Sequence, residues 1–295
     1  MSEAIRGAWA AATTPLDGAG GIDTTALARH ARWLLDEGCD GLVLFGTSGE
    51  GPSFTLAERL AATEAVLRAG IPAAALSVGT GCPAIADTVA LTKGVLSLGI
   101  ARAMILPPFY FAGVSPEGIE DAYAAVFDGI GDGRLSACLY HIPQVCGVGV
   151  PAVVLGNLRR RYGALVSGVK DSSGDFETFL GFRRAAPEVG ALVGAEVLIP
   201  RALAEGGAGT ICGMANVVPR LVRRLFSDAA AVADMEAACA HVAGIPALKA
   251  VQAALTGNPA WRAVRPPLRF GDAAAAEQGA QVLRRLEAGA TAKAA

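Results

Sequence analysis

The feature that most limits the possible folds is a rhythm: a short apolar run, a turn signal and a longer helical pattern, repeated eight times along 295 residues. GAWAAATTP (7–15) precedes TALARHARWLLDEG, where Leu27, His30, Ala31 and Leu34 recur at helical spacing. GLVLFGTSG (41–49) leads into TLAERLAATEAVLRAG, opened by Thr55 and Glu58 at capping-box spacing. AAALSVGTG, ARAMILPP, LSACLYHIP, ALVSGVKDSSGD, ALVGAEV and AGTICGMAN continue the series, each followed by its own helical stretch. Apolar runs that do not alternate suit parallel strands buried on both faces. Eight such units within roughly 250 residues predict an α/β protein, a closed (β/α)8 TIM barrel, over residues 1–231. IPALKAVQAALTG and AAAAEQGAQVLRRLEAG make residues 232–295 a C-terminal helical extension. An open, doubly wound sheet is the competing architecture.

Composition narrows the function classes. Hydrophobic residues at 53% against 18% charged residues exclude disorder and supply a large core. A net charge of −2 with scattered Lys and Arg gives no basic stripe for phosphate contacts, so no nucleic-acid partner is expected. The six cysteines form no C-x-x-C, and the three histidines lie far from any Cys/His cluster. Neither a disulfide framework nor a zinc site is expected, and a reduced, cytoplasmic protein follows. MSEAIRGAWA has no charged leader with an apolar core, and Gly, Pro or charge breaks every apolar run before membrane length. No signal peptide or membrane anchor is expected.

In a barrel the chemistry sits at the C-terminal ends of the strands, where several polar residues fall. Lys170 ends ALVSGVK and is one of four lysines, with Lys93, Lys249 and Lys293. An amine among apolar neighbours holds its neutral, nucleophilic form more easily than one in water. The plainer alternatives are a lysine reaching out to solvent or pairing with Asp171. Tyr140 ends LSACLY, where a phenol can relay a proton; a packed ring bonded to backbone is the alternative. Thr47 and Ser48, in FGTSGEG, offer adjacent hydroxyls and glycine-flanked backbone N–H groups to a carboxylate, against an ordinary Gly/Ser turn. GTGCPA (79–84) matches a loose dinucleotide pattern but lacks the acidic residue about 20 positions on, so no nucleotide cofactor is expected.

GTSGEGPSFTLAER, LPPFY, LYHIP, GVKDSSGD and GMANVVP, in that order between TTPL (13–16) and RPPL (265–268), resemble the dihydrodipicolinate synthase and N-acetylneuraminate lyase family. The resemblance implies a barrel with extra C-terminal helices, assembled as a homotetramer of two dimers. It makes Lys170 the Schiff-base lysine that attacks pyruvate, and Tyr140 the proton shuttle. Thr47 and Ser48 become the holders of the pyruvate carboxylate. Tyr110 matches a tyrosine that crosses the dimer interface to complete a relay with Tyr140 and Thr47. Ile211 matches a residue whose carbonyl lies beside the imine. Ser172, Glu196 and Gly213 fall where sialic acid lyases contact the rest of the substrate.

One departure bears on specificity. Synthases that use aspartate semialdehyde carry an arginine two residues after the proline of the Tyr-Asn-x-Pro segment, gripping the second carboxylate. Here that position is Val145, and His141 replaces the usual Asn. The expectation is a reversible lyase interconverting a 2-keto acid, of the 2-keto-3-deoxy sugar-acid type, with pyruvate and an aldehyde. The imine is the electron sink, so neither organic cofactor nor metal is expected. A dihydrodipicolinate synthase, a non-catalytic keto-acid-binding barrel and a metal-dependent aldolase are the rival readings. Dehydratase or decarboxylating variants would start from the same imine.

Overall fold

The computed structural model describes residues 4–292; Lys293 lies outside them. Eight strands form: β1 (Gly7–Ala11), β2 (Gly41–Leu44), β3 (Leu76–Gly79), β4 (Arg102–Ile105), β5 (Ser136–His141), β6 (Val166–Asp171), β7 (Gly190–Val193) and β8 (Gly209–Cys212). Seven fall inside the apolar runs, and β7 begins one residue before ALVGAEV. They close into a barrel in the order β1 to β8, parallel in every register resolved between neighbours. The open sheet is thereby excluded. The strands are short and buried along nearly their whole length, which is why their sequences do not alternate. At the join, Gly7 N donates to Ala208 O at 2.8 Å. Gly209 has φ +136, and a Cβ there would strike the Gly7 backbone, so the close approach requires glycine.

Two units make up the fold. The first comprises Met1–Gly7 and Leu76–Ile211, the second Ala8–Ala75 and Cys212–Ala295. In the first, the helix Pro116–Ile130 shows how local sequence sets an element's bounds. Ser115 Oγ accepts from Gly118 N at 3.3 Å, Pro116 occupies the first turn, and Gly131 closes the helix at φ +61. In the second, Thr24–Asp36 buries Ala26, Leu27, His30, Ala31 and Leu34, the stripe expected from spacing, and Asp23 caps its start. Leu56–Arg68 opens with the reciprocal Thr55–Glu58 capping box. After β8 come the helices Pro219–Arg224, Val232–Cys239, Gly244–Thr256 and Ala273–Ala292. Among the described residues no single helix is long and apolar enough to cross a membrane.

The register between β5 and β6 determines which side chains meet. Ala137 pairs with Val166, but Cys138 pairs with Gly168, so Ser167 is one extra residue on β6. Unshifted, the first pairing would set Tyr140 opposite Val169; the bulge sets it opposite Lys170 instead. The extra residue is anchored: Ser167 Oγ lies 2.7 Å from Ser136 Oγ and donates to Ala137 O at 3.1 Å.

Candidate active site

Side chains two residues apart on a strand share a face, so Cys138 and Tyr140 face the same way as Gly168 and Lys170 across the β5–β6 pair. Lys170 and Tyr140 are 4% and 2% exposed. Lys170 Nζ donates to Tyr140 Oη at 3.3 Å and lies 4.3 Å from the centre of the phenol ring. Lys170 therefore neither reaches solvent nor turns to Asp171, whose Oδ1 accepts from Ser173 N at 2.9 Å. Burial pushes the neighbouring Cys138 thiol up to about 12, so it stays protonated and is a poor nucleophile. The amine is the nucleophile this face offers.

The opposite face holds His141 and Asp171, also paired in register. Burial lowers the histidine and raises the carboxyl, each drawing back part of the other's shift. His141 Nδ1 accepts from Val150 N at 2.9 Å, and its ring packs edge-on to Phe182 at 5.4 Å. Its role is to fix the segment after β5, as a buried, backbone-bonded histidine would.

Around the lysine, Ser172 N donates to His141 O at 2.9 Å, and Gln144 Nε2 donates to Ser172 O at 2.6 Å. Gly194, just past β7, was not singled out in the sequence. A Cβ there would collide with Ser172 Oγ and sit 3.2 Å from Lys170 Cε. Its N–H also donates to Asp171 O at 2.6 Å. Only a residue without a side chain leaves both neighbours their places, and a lone glycine after a strand run is the sequence trace of that. Glu196 begins the 3-10 turn Glu196–Leu198 and is half-buried. Ile211 is fully buried in β8, whereas Val145 lies on the short helix Pro143–Cys146 and is 62% exposed. Tyr110 is 78% exposed beyond β4, its ring edge-on to Phe111, itself 71% exposed.

In the second unit, Thr47 and Ser48 follow β2 in a tightly wound turn. Phe45 and Glu50 take left-handed φ of 56° and 54°. Gly49 has no room for a side chain: a Cβ would lie 2.7 Å from Ala12 O. Sequence reading missed what holds this turn from behind. Glu50 Oε1 accepts from Lys249 Nζ at 2.6 Å, with both side chains fully buried. Glu50 Oε2 accepts from Arg265 N at 3.1 Å; Lys249 also donates to Thr14 O at 2.8 Å, and Thr14 Oγ1 to Gly49 O at 2.7 Å. Burial lowers Lys249, and the Glu50 carboxylate opposes that. Ser48 Oγ would stand 3.4 Å from a Cβ on Gly213, the residue just past β8. Asn216 Nδ2 donates to both Ala11 O and Gly213 O at 2.8 Å.

Each predicted residue thus lies at or just beyond the C-terminal end of its own strand. Lys170 is brought to Tyr140 and to Ser172 through Gly194, and Ser48 to Gly213. Residues 4–265 match the dihydrodipicolinate synthetase family model. The chain belongs to that family. An uncharacterized DapA-like lyase of Chloroflexus aurantiacus is 35% identical over 257 residues, 83% of this chain and 85% of that protein. A 4-hydroxy-tetrahydrodipicolinate synthase of Anaeromyxobacter sp. is 30% identical over 224 residues, covering 75% and 73%. The crystal structure of dihydrodipicolinate synthase from Agrobacterium tumefaciens superposes with a TM-score of 0.90 at 31% identity, over 96% and 99% of the two chains. This member of the dihydrodipicolinate synthetase family is accordingly an enzyme, a pyruvate-dependent lyase of the class I aldolase type. Such enzymes carry pyruvate as a Schiff base on a lysine and use no external cofactor.

Proposed function

We propose that Lys170 is the imine-forming lysine and that the enzyme cleaves or forms a 2-keto-3-deoxy sugar acid, with pyruvate as one product or substrate. The observation that carries the reading is the buried 3.3 Å contact between Lys170 Nζ and Tyr140 Oη. In the cleavage direction, the neutral amine adds to the keto carbon and the carbonyl oxygen takes a proton relayed by Tyr140. Tyr140 gives its own proton to the departing hydroxyl, so that water leaves behind a protonated imine and a phenolate. Tyr140 then accepts the proton of the 4-hydroxyl as the C3–C4 bond breaks. The bonding pair flows into the imine, which becomes an enamine, and an aldehyde departs. Protonation at C3 and hydrolysis release pyruvate.

Thr47 and Ser48 hold the pyruvate carboxylate in this reading, and the carbonyl of Ile211 faces the imine. Ser172, Glu196 and Gly213 meet the sugar chain. Val145 supports an uncharged, hydroxylated partner, since an aliphatic side chain cannot form the bidentate contact a second carboxylate needs. The exposure of Tyr110 and Phe111 supports a second copy covering them. Tyr110 would then complete a relay with Tyr140 and Thr47 across a dimer, within a cytoplasmic homotetramer.

Borohydride trapping with pyruvate, followed by peptide mass spectrometry, tests the imine. A reduced pyruvyl adduct on Lys170 is expected, and full turnover by Lys170→Ala would overturn the assignment. Assay against glyceraldehyde and aspartate semialdehyde tests the partner. Preference for the semialdehyde would favour the synthase reading, to which the named synthases among the relatives point.

A further inference from the structure

The second unit contains a cavity of about 680 Å³ that the proposed chemistry does not use. Its size is typical of small-molecule sites. It lies between the helix Thr24–Asp36 and the C-terminal helices, and its walls are largely apolar. Trp33 leaves 38% of its surface exposed there and stacks over His30 at 5.5 Å; the buried Trp261 meets the same imidazole edge-on at 5.0 Å.

The floor is polar but already satisfied. Asn216 spends its amide N–H groups on Ala11 O and Gly213 O, so its Oδ1 is an acceptor. That oxygen takes Thr13 N at 3.1 Å and His30 Nε2 at 2.8 Å, which fixes His30 as the tautomer protonated on Nε2. Thr13 Oγ1 donates in turn to Gln252 Oε1 at 2.7 Å. Burial lowers His30 to about 4, so the floor is uncharged near neutral pH.

The charge around the cavity is unbalanced. Three arginines (Arg29, Arg220 and Arg284) line it against one carboxylate, Glu287. Glu287 is engaged: its oxygens accept from Arg220 N at 2.8 Å and Leu221 N at 3.0 Å. The Arg220 guanidinium pairs with Glu37. Arg284 donates to Ala254 O at 2.8 Å and stands 3.8 Å from Glu277, beyond hydrogen-bonding distance. Arg29 forms no ion pair among the described residues. Two guanidinium groups with donors to spare therefore line the same cavity as an exposed indole.

We propose that this cavity binds a small organic anion, a carboxylate on a flat apolar body, with the body against Trp33 and the carboxylate taken by Arg29 and Arg284. Charge-assisted bonds from guanidinium to carboxylate fix one end, and the indole covers the other. The floor passes occupancy on, because the Asn216 that closes it also holds the backbone at the end of β1 and just after β8.

Benzoate, with benzamide as its uncharged counterpart, probes the site by calorimetry and tryptophan fluorescence. Two of the chain's three tryptophans line the cavity, so the signal is local. Saturable one-to-one binding of benzoate is expected, about tenfold tighter than benzamide. Arg29→Gln combined with Arg284→Gln is expected to weaken benzoate about tenfold, as is Trp33→Ala, with circular dichroism unchanged. Binding should persist in Lys170→Ala, which separates this cavity from the imine chemistry. Failure of benzoate to saturate, equal affinity for benzamide, indifference to the arginine substitutions, or loss of binding in Lys170→Ala would each overturn the proposal.

Discussion

Replacing Lys249 with methionine removes the cation from a pair whose two side chains are fully buried. The variant leaves the Glu50 carboxylate facing an apolar methyl, with the Arg265 backbone N–H at 3.1 Å as a remaining donor. Thr14 O loses its 2.8 Å donor as well. Breaking one side of a buried pair costs about 3–5 kcal/mol, because the surviving charge keeps its desolvation penalty and loses the compensating attraction. For a chain of this size that is a fall in Tm of roughly 6–10 °C. Glu50→Gln should cost a similar amount, since it strands the ammonium. The double variant has no buried charge left, so its cost should be well below the sum of the two single costs. Urea unfolding of the four proteins gives the coupling energy directly. Because the pair stands behind the turn carrying Thr47 and Ser48, KM for pyruvate in Glu50→Gln should rise more than kcat falls. A Lys249→Met cost under about 1 kcal/mol, or strict additivity in the double variant, would refute the reasoning.

Tyr140→Phe keeps the ring and removes the hydroxyl 3.3 Å from Lys170 Nζ. Turnover should fall about 10²–10⁴-fold, while borohydride still traps some pyruvate on Lys170. Gly194→Ala drives a methyl into Ser172 Oγ and against Lys170 Cε; kcat should drop about tenfold or more with the far-ultraviolet spectrum intact, as steady-state kinetics will read. The pH dependence of stability should carry the signature of His30, whose burial lowers it from 6.5 to about 4. The unfolded chain takes up this proton near pH 6.5 and the folded chain only near 4. Stability is therefore complete above about 6.5 and declines by about 3 kcal/mol as pH falls to 4. In His30→Gln, denaturant midpoints measured across that window should lack this part of the slope.

Much of this was legible in the sequence because periodicity and strand-end position are local properties. The eight apolar runs delimit the eight strands, and Leu27, His30, Ala31 and Leu34 form the buried face their spacing implies. Lys170 stood out as a rare lysine at a strand end. Its proximity to Tyr140 could not be read in the same way, since it depends on a register shifted by one bulged residue. Lys249 sits in an ordinary helical stretch, and its partner Glu50 is 199 residues away; nothing local marks either as buried. The Asn216 network likewise gathers Thr13, His30 and Gln252 from three distant segments. Such pairings are long-range products of packing, so no residue's neighbours in the chain announce them.

The bulge at Ser167 makes the reactive pair a matter of counting as much as of identity. A lysine carried to position 168 would keep its face and stand beside Cys138, one step further down β6. A lysine at 169 would turn its amine away from the phenol altogether, whereas deleting Ser167 would only take out the extra residue and leave Lys170 opposite Tyr140. The frame between two neighbouring strands is thus inherited along with the residues themselves. Any relocation of this chemistry to another pair of strands has to bring the lysine and the phenol into the same frame, whatever the count of residues before them.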